Sequence, residues 1–184
     1  RQRQMCIRDR PKPSPILSLF SFLYKKDNVG FTLQFDDAPS EPIEIAHRTG
    51  APSYKADVNV NEPNISTLDS GYQLIEVPLE AIAWGRSGDK GNKANIGIIA
   101  RHPNLLPHIW DTFSEEKIVE IFSHFLENDK IDRHYLPGIS GVNYVLHDVL
   151  GGGGTTSLRN DPQGKGYAQI LLSCKISVPK NLLV

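Results

Sequence analysis

The chain has 184 residues, 39% of them hydrophobic, and a formal net charge of -1. That is enough for one domain with a core and an appended segment. The near-neutral balance gives no electrostatic footprint for nucleic acid or an anionic membrane surface, and no apolar run is long enough for a spanning helix. Neither partner is expected.

Residues 1–10, RQRQMCIRDR, read as non-native sequence of adaptor type. The only methionine is Met5, so Arg1 is not a natural beginning and the chain reads as a piece of something longer. Cys6 then falls outside the protein. Cys6 and Cys174 make no disulfide framework, so a cytoplasmic location is expected.

Residues 11–72 read as a connection. PKPSP (11–15) is stiff and extended. ILSLFSFLY follows it. Lys25, Lys26 and Asp27 come next, without a small-residue cleavage site, which argues for a strand over a signal peptide. FTLQF alternates and suggests a hairpin with that strand, and PIEIAH adds a short strand. Residues 48–72, rich in Gly, Pro, Ser, Asn and Asp, read as a long loop or linker.

Residues 73–178 carry clearer patterns. LIEVPLEAIAW predicts one half-buried strand with Ile75, Val77, Leu79, Ala81 and Ala83 on a common face. Pro78 leaves it a free edge. ANIGIIAR predicts a second strand, and HPNLLPHIWDTF a short helix with Pro103 in its first turn. SEEKIVEIFSHFLEN predicts a helix capped by Ser114, with Ile118, Ile121, Phe122, Phe125 and Leu126 as its apolar stripe. KIDRHYL predicts a strand, with Arg133 and Tyr135 on one face, either lining a pocket or lying over the core. VNYVLHDVL predicts a packing helix ended by four glycines. YAQILLSCKISV predicts a last strand with Ala168, Ile170, Leu172, Cys174, Ile176 and Val178 on one side. Residues 179–184 form a tail. The sum is an α+β sandwich: a mostly antiparallel sheet with helices on one face, close to a ferredoxin-like arrangement, plus an N-terminal strand and linker extension.

Two segments invite chemistry. GRSGDKGNKANIG (85–97) holds four glycines, two lysines, an arginine and an aspartate. Read as a loop, its backbone N–H groups suit a concave anion nest. Arg86 offers a two-pronged grip on carboxylate or phosphate, Lys90 a point charge, and Ser87 a short-range donor. The bland reading is a charged connection in which Asp89 pairs with Arg86 or Lys90. Neither a Walker A loop nor GxGxxG fits the spacing. The second segment, LGGGGTTSLRNDPQGKG (150–166), has more glycines than a helix C-cap needs. It forms either a floppy hairpin connection or, through Gly151 to Gly154, a wall of the pocket that holds Arg86 if the two strands are neighbours. His147 is a candidate base and Asn143 a candidate donor, although a lone helical histidine is more often a boundary residue. No metal motif and no nucleophile elbow is present, and no cofactor is implied.

WGRSGDKGNKANIGIIAR, SEEKIVEIF, YLPGISGVNYVL and GGGGTTSLRNDPQGKGYAQILL, in that order, resemble the C-terminal small domain of the acyclic terpene utilisation AtuA-like family. The resemblance covers residues 73–178. By that match Arg86, Ser87, Gly88, Asp89, Lys90, Gly91, Asn95, Asn143, Ser157, Arg159, Asp161, Gly164 and Lys165 carry the signature. It implies a ferredoxin-like fold and a link to breakdown of citronellol- and geraniol-type isoprenoids alongside acyl-CoA enzymes. It names no reaction. Two readings follow. In the first, Arg86, Ser87, Gly88, Asp89, Lys90, Gly91, Asn95, Asn143, Gly152, Gly153, Ser157 and Arg159 bind an anionic ligand such as an acyl-CoA. In the second, the domain is a non-catalytic assembly module. It docks on the large N-terminal domain of longer members, or forms homo-oligomers through its sheet edges.

Overall fold

The computed structural model describes residues 22–44, 61–64, 71–154 and 156–183. The chain forms two units, one around residues 20–60 and one around 61–184. The predicted artefact at 1–10 and most of the predicted loop at 48–72 lie outside the described residues.

In the first unit, β1 (Phe31–Leu33) pairs antiparallel with β2 (Glu41–Ile43), Phe31 opposite Ile43. A hairpin forms, but FTLQF takes the PIEIAH segment as its partner. Residues 16–21 of ILSLFSFLY lie outside the described residues, and Phe22–Tyr24 carry no strand.

The second unit holds the remaining elements. β3 (Leu74–Pro78) is followed by a 3-10 turn, Leu79–Ala81, and then by β4 (Ala83–Lys90). The single predicted strand is therefore two. Pro78 has no N–H with which to continue a ladder, and Leu79 and Ile82 turn into the core. The segment read as a charged loop, Arg86–Lys90, is strand, and the connection is the two-residue turn Gly91–Asn92. Gly91 has φ +69°, as the first central position of a tight hairpin requires.

β5 (Lys93–Ala100) returns antiparallel to β4. A 3-10 turn and α1 (Leu106–Thr112) follow, then α2 (Glu115–Phe122). Ser114 Oγ accepts from the Lys117 N–H, as a cap should. The helix is shorter than its stripe, so Phe125 and Leu126 pack from the turn beyond it.

β6 (Ile131–Leu136) and β7 (Gly141–Leu146) form a second hairpin. The predicted helix at VNYVLHDVL is thus the inner strand β7, paired on both sides. Val142, Tyr144 and Leu146 alternate inward, and β-branched and aromatic residues favour that placement. The predicted last strand splits into α3 (Tyr167–Ser173) and β8 (Lys175–Pro179). Tyr167, Ala168 and Leu171 are buried at helical spacing. The tail continues as a 3-10 turn, Lys180–Leu182.

The strand order is β4-β5-β7-β6, all antiparallel, and β3 and β8 form a separate ribbon. One face of the four-stranded sheet is the core. Register aligns Ala94 with Leu146, Ile96 with Tyr144 and Ile98 with Val142. α3 packs on β4 and β5, α2 on β6, and α1 on β5 and β8. Tyr144 donates its hydroxyl to Phe113 O at 2.8 Å, and burial holds its pKa far above the ordinary tyrosine value. Arg133 and Tyr135 lie over this core. Arg133 Nη1 donates to Trp110 O at 2.7 Å, its guanidinium covers the Trp110 ring, and Tyr135 meets that ring edge-on. The Arg133 N–H donates to Glu115 Oε1.

His108, on α1, is 6% exposed, and its Nε2 has no hydrogen-bond partner. Burial lowers its pKa below the ordinary 6.5, with the Asp111 charge opposing. Below that value the unfolded chain takes a proton that the folded chain refuses. The stability this group contributes is complete above 6.5 and is lost as pH falls through the window beneath. Between about pH 7.5 and pH 5, urea unfolding of the wild type should therefore lose more free energy than that of His108→Leu. Equal losses would show that His108 is not buried neutral.

Candidate functional site

Among the described residues, no element covers the second face of the four-stranded sheet. β4 presents Trp84, Arg86, Gly88 and Lys90 there, by simple alternation. β5 adds Lys93, Asn95, Gly97 and Ile99, β7 adds Asn143 and Val145, and β6 adds Asp132, His134 and Leu136. Trp84 is 55% exposed and Ile139, in the β6–β7 turn, 53%.

The face is divided by character. At one end a shallow hollow of about 230 Å³ is lined by Trp84, Ile99, Leu136 and Ile139, with Gly97 in its floor and Arg86 at its margin. Toward the Gly91 turn the lining becomes polar. Lys90 Nζ donates to Asn95 Oδ1 at 3.2 Å, and Asn95 Nδ2 donates to Asn143 Oδ1 at 3.1 Å. This chain crosses β4, β5 and β7. Among the described residues, no carboxylate lies within ion-pair reach of Arg86, Lys90, Lys93 or Lys165. Asp89 points to the core side of β4, so the expected pairing with Arg86 or Lys90 does not form. Lys90 instead donates to the Asp89 backbone carbonyl.

Ser87 also points away from this face. Its Oγ donates to Lys165 O at 3.0 Å and accepts from the Ala168 N–H at 2.9 Å, in the first turn of α3. Asp161 completes the junction, accepting from Lys165 N at 3.0 Å and Gly166 N at 2.7 Å. These bonds hold Lys165 beside β4, an outer strand. Its ammonium reaches the open face above Gly88, 3.0 Å from where a Cβ on Gly88 would stand. The sequence signature contains Lys165, but only its position around the β4 edge sets it above Gly88, two positions along the strand from Arg86.

The glycine run lies elsewhere. Gly153 rests on the β4–β5 turn so closely that a Cβ there would overlap Gly91 O. Asn92 organises this contact. Its Oδ1 accepts from Gly152 N at 2.7 Å, its carbonyl from Val149 N and Leu150 N, and its Nδ2 donates to Asp148. The Gly152 N–H is therefore engaged from within the chain, and no residue of the run lines the hollow beside Arg86. Asn92 stood in the quoted sequence without a role, because nothing local marks a long-range hub. Ser157 and Arg159 are likewise internal. Ser157 Oγ accepts from Arg159 N, and Arg159 Nη2 donates to Phe125 O with its guanidinium over that ring.

His147 is 7% exposed and pairs with Asp132, Nε2 to Oδ2 at 2.6 Å. The hydrogen bond from His147 is the main reason that the Asp132 carboxyl lies below the usual carboxylate range. Among the described residues no hydroxyl or thiol is hydrogen-bonded to His147, so the pair is not extended toward a nucleophile.

The second unit is thus an α+β domain with its core on one face of the sheet and, among the described residues, an uncovered and partly cationic second face. The family model of the AtuA ferredoxin-like domain matches residues 77–177, more than half of the chain. The chain belongs to this AtuA-like family. No curated protein and no solved structure matches it.

Ser87→Ala should leave the buried Ala168 N–H without its side-chain partner, whereas the Lys165 carbonyl keeps the Gln169 side-chain amide within reach. Urea unfolding should show a loss of about 1–3 kcal/mol. An unchanged midpoint would mean that the α3 junction does not depend on this hydroxyl.

Proposed function

We propose that this AtuA-like domain binds an anionic small molecule, a phosphate or carboxylate of acyl-CoA type, on its open sheet face. The carrying observation is the row of cations on that face without a carboxylate partner among the described residues, in a chain whose formal net charge is only -1. Arg86 supplies a planar fork for two oxygens and Lys90 a compact charge. Asn95 and Asn143 orient Lys90 and offer amide groups beside it. A role in acyclic isoprenoid and acyl-CoA breakdown follows from the family resemblance, and the cysteine content favours the cytoplasm. No reaction is assigned. No helix among the described residues is long and apolar enough to cross a membrane.

The exposed side chains of Trp84, Ile99, Leu136 and Ile139 favour a second reading, an assembly surface for another domain or another copy. The two readings separate in one titration. Trp84 is exposed two residues from Arg86 on the same strand face and the second tryptophan, Trp110, is buried, so a ligand-dependent change in emission that Trp84→Phe removes reports on the site. Coenzyme A, an isoprenoid acyl-CoA and inorganic phosphate should each be titrated into the full chain. Saturable quenching, weakened tenfold or more in Arg86→Ala, is the expected result. If no titrant quenches and Arg86→Ala instead changes the mass found by light scattering, assembly is the correct reading.

A further inference from the structure

The open face offers more than charge. Along β4 the side-chain positions Trp84, Arg86 and Gly88 follow one another at two-residue steps, about 7 Å each. The hollow lies at the first position, a guanidinium at the second, and the Lys165 ammonium above the third. The hollow's walls are hydrocarbon from Trp84, Ile99, Leu136 and Ile139, whereas beyond Arg86 the side chains are amides and cations. A ligand satisfying only the cations would leave the hollow wet. A purely apolar ligand would reach the Arg86 guanidinium at the hollow's margin without answering its charge.

We infer that the site takes an amphipathic anion. Its hydrocarbon chain lies in the hollow, and its carboxylate or phosphate head lies between Arg86 and Lys165. This rests on the anion-binding reading above and narrows it to a substrate class. Lys165 is the specificity-determining residue for the head. It arrives from the segment before α3, is held there by Asp161 and Ser87, and lies over a glycine that leaves it room. The head group therefore bridges two separate parts of the chain. A Cβ at Gly88 would stand 3.0 Å from the ammonium, so a side chain there would push the Lys165 head aside.

The test uses the full chain and four probes: decanoate, decyl phosphate, decanol and acetate, each followed by Trp84 fluorescence and calorimetry. The variants are Lys165→Met, which keeps the apolar stem over Gly88, the pair Leu136→Ala with Ile139→Ala, and Arg86→Ala. Circular dichroism checks that each is folded. Decanoate or decyl phosphate should bind at least tenfold tighter than decanol or acetate. Whichever of the two binds tighter identifies the head. Lys165→Met should weaken decanoate tenfold or more while leaving decanol unchanged, and the double alanine variant should reduce decanoate to the affinity of acetate.

Acetate binding as tightly as decanoate, with sensitivity to Arg86→Ala, would overturn the amphipathic inference and leave the anion reading standing. Decanol equal to decanoate, with Arg86→Ala silent, would overturn both. Loss in Arg86→Ala but none in Lys165→Met would remove Lys165 from the site. If no probe binds and the Leu136→Ala, Ile139→Ala pair lowers the mass in solution, the hollow is an interface between copies and the inference is wrong.

Discussion

The Ser87 hydroxyl makes two hydrogen bonds on which the site geometry depends. It donates to Lys165 O and accepts from Ala168 N, so one side chain on β4 fixes the start of α3. Buried polar groups gain most when both their donor and acceptor capacities are used. Once the first turn of α3 is fixed, Tyr167 and Leu171 fall into the core and Lys165 is delivered to the edge of β4. Asp161 tightens the same junction from the loop side. Packing of the last helix and position of the outermost cation are thus set by one local arrangement.

The glycine-rich segments divide their labour differently from what their composition suggests. Gly153 and Gly91 bring two turns into backbone contact, and Asn92 fills the space that an anion nest would otherwise offer. Their smallness serves chain packing. The groups suited to a ligand sit in regular strand, on side chains that the sheet holds at fixed spacing. A site built on strands is positioned more rigidly than one built on loops. The open face is correspondingly ordered, with Lys90, Asn95 and Asn143 linked across three strands.

Much of the class of fold was legible from residues alone. β5 alternates clearly, α2 carries its cap and stripe, and the α+β character follows from both. Legibility failed where two signals coincide. Arg86–Lys90 lacks apolar residues because one face is open and the other is lined by Gly85 and Ser87, so no period-two hydrophobic pattern exists to read. Tyr167–Ser173 is apolar at both helical and strand spacing, and the bonds that fix its first turn come from outside the stretch, from Asp161 and Ser87. Val142–Leu146 is short and apolar throughout, which leaves helix and strand undistinguished until pairing on both sides is seen. Arg86, Lys90, Asn95 and Asn143 were found as a group because their chemistry is unusual in sequence. Lys165 joins them only through a contact around a sheet edge, across 78 positions from Ser87.

The manner in which the sheet ends has its own consequence. Outer strands present unpaired backbone groups, and proteins blunt them to avoid uncontrolled stacking. On β6 the Arg133 N–H is already occupied by Glu115. On β4 the loop before α3 bonds to Ser87, and the Lys165 side chain folds over the rim. Each border thus carries a charged side chain beside its backbone, one a carboxylate and one a lysine, the kind of group by which sheet edges discourage stacking on one another.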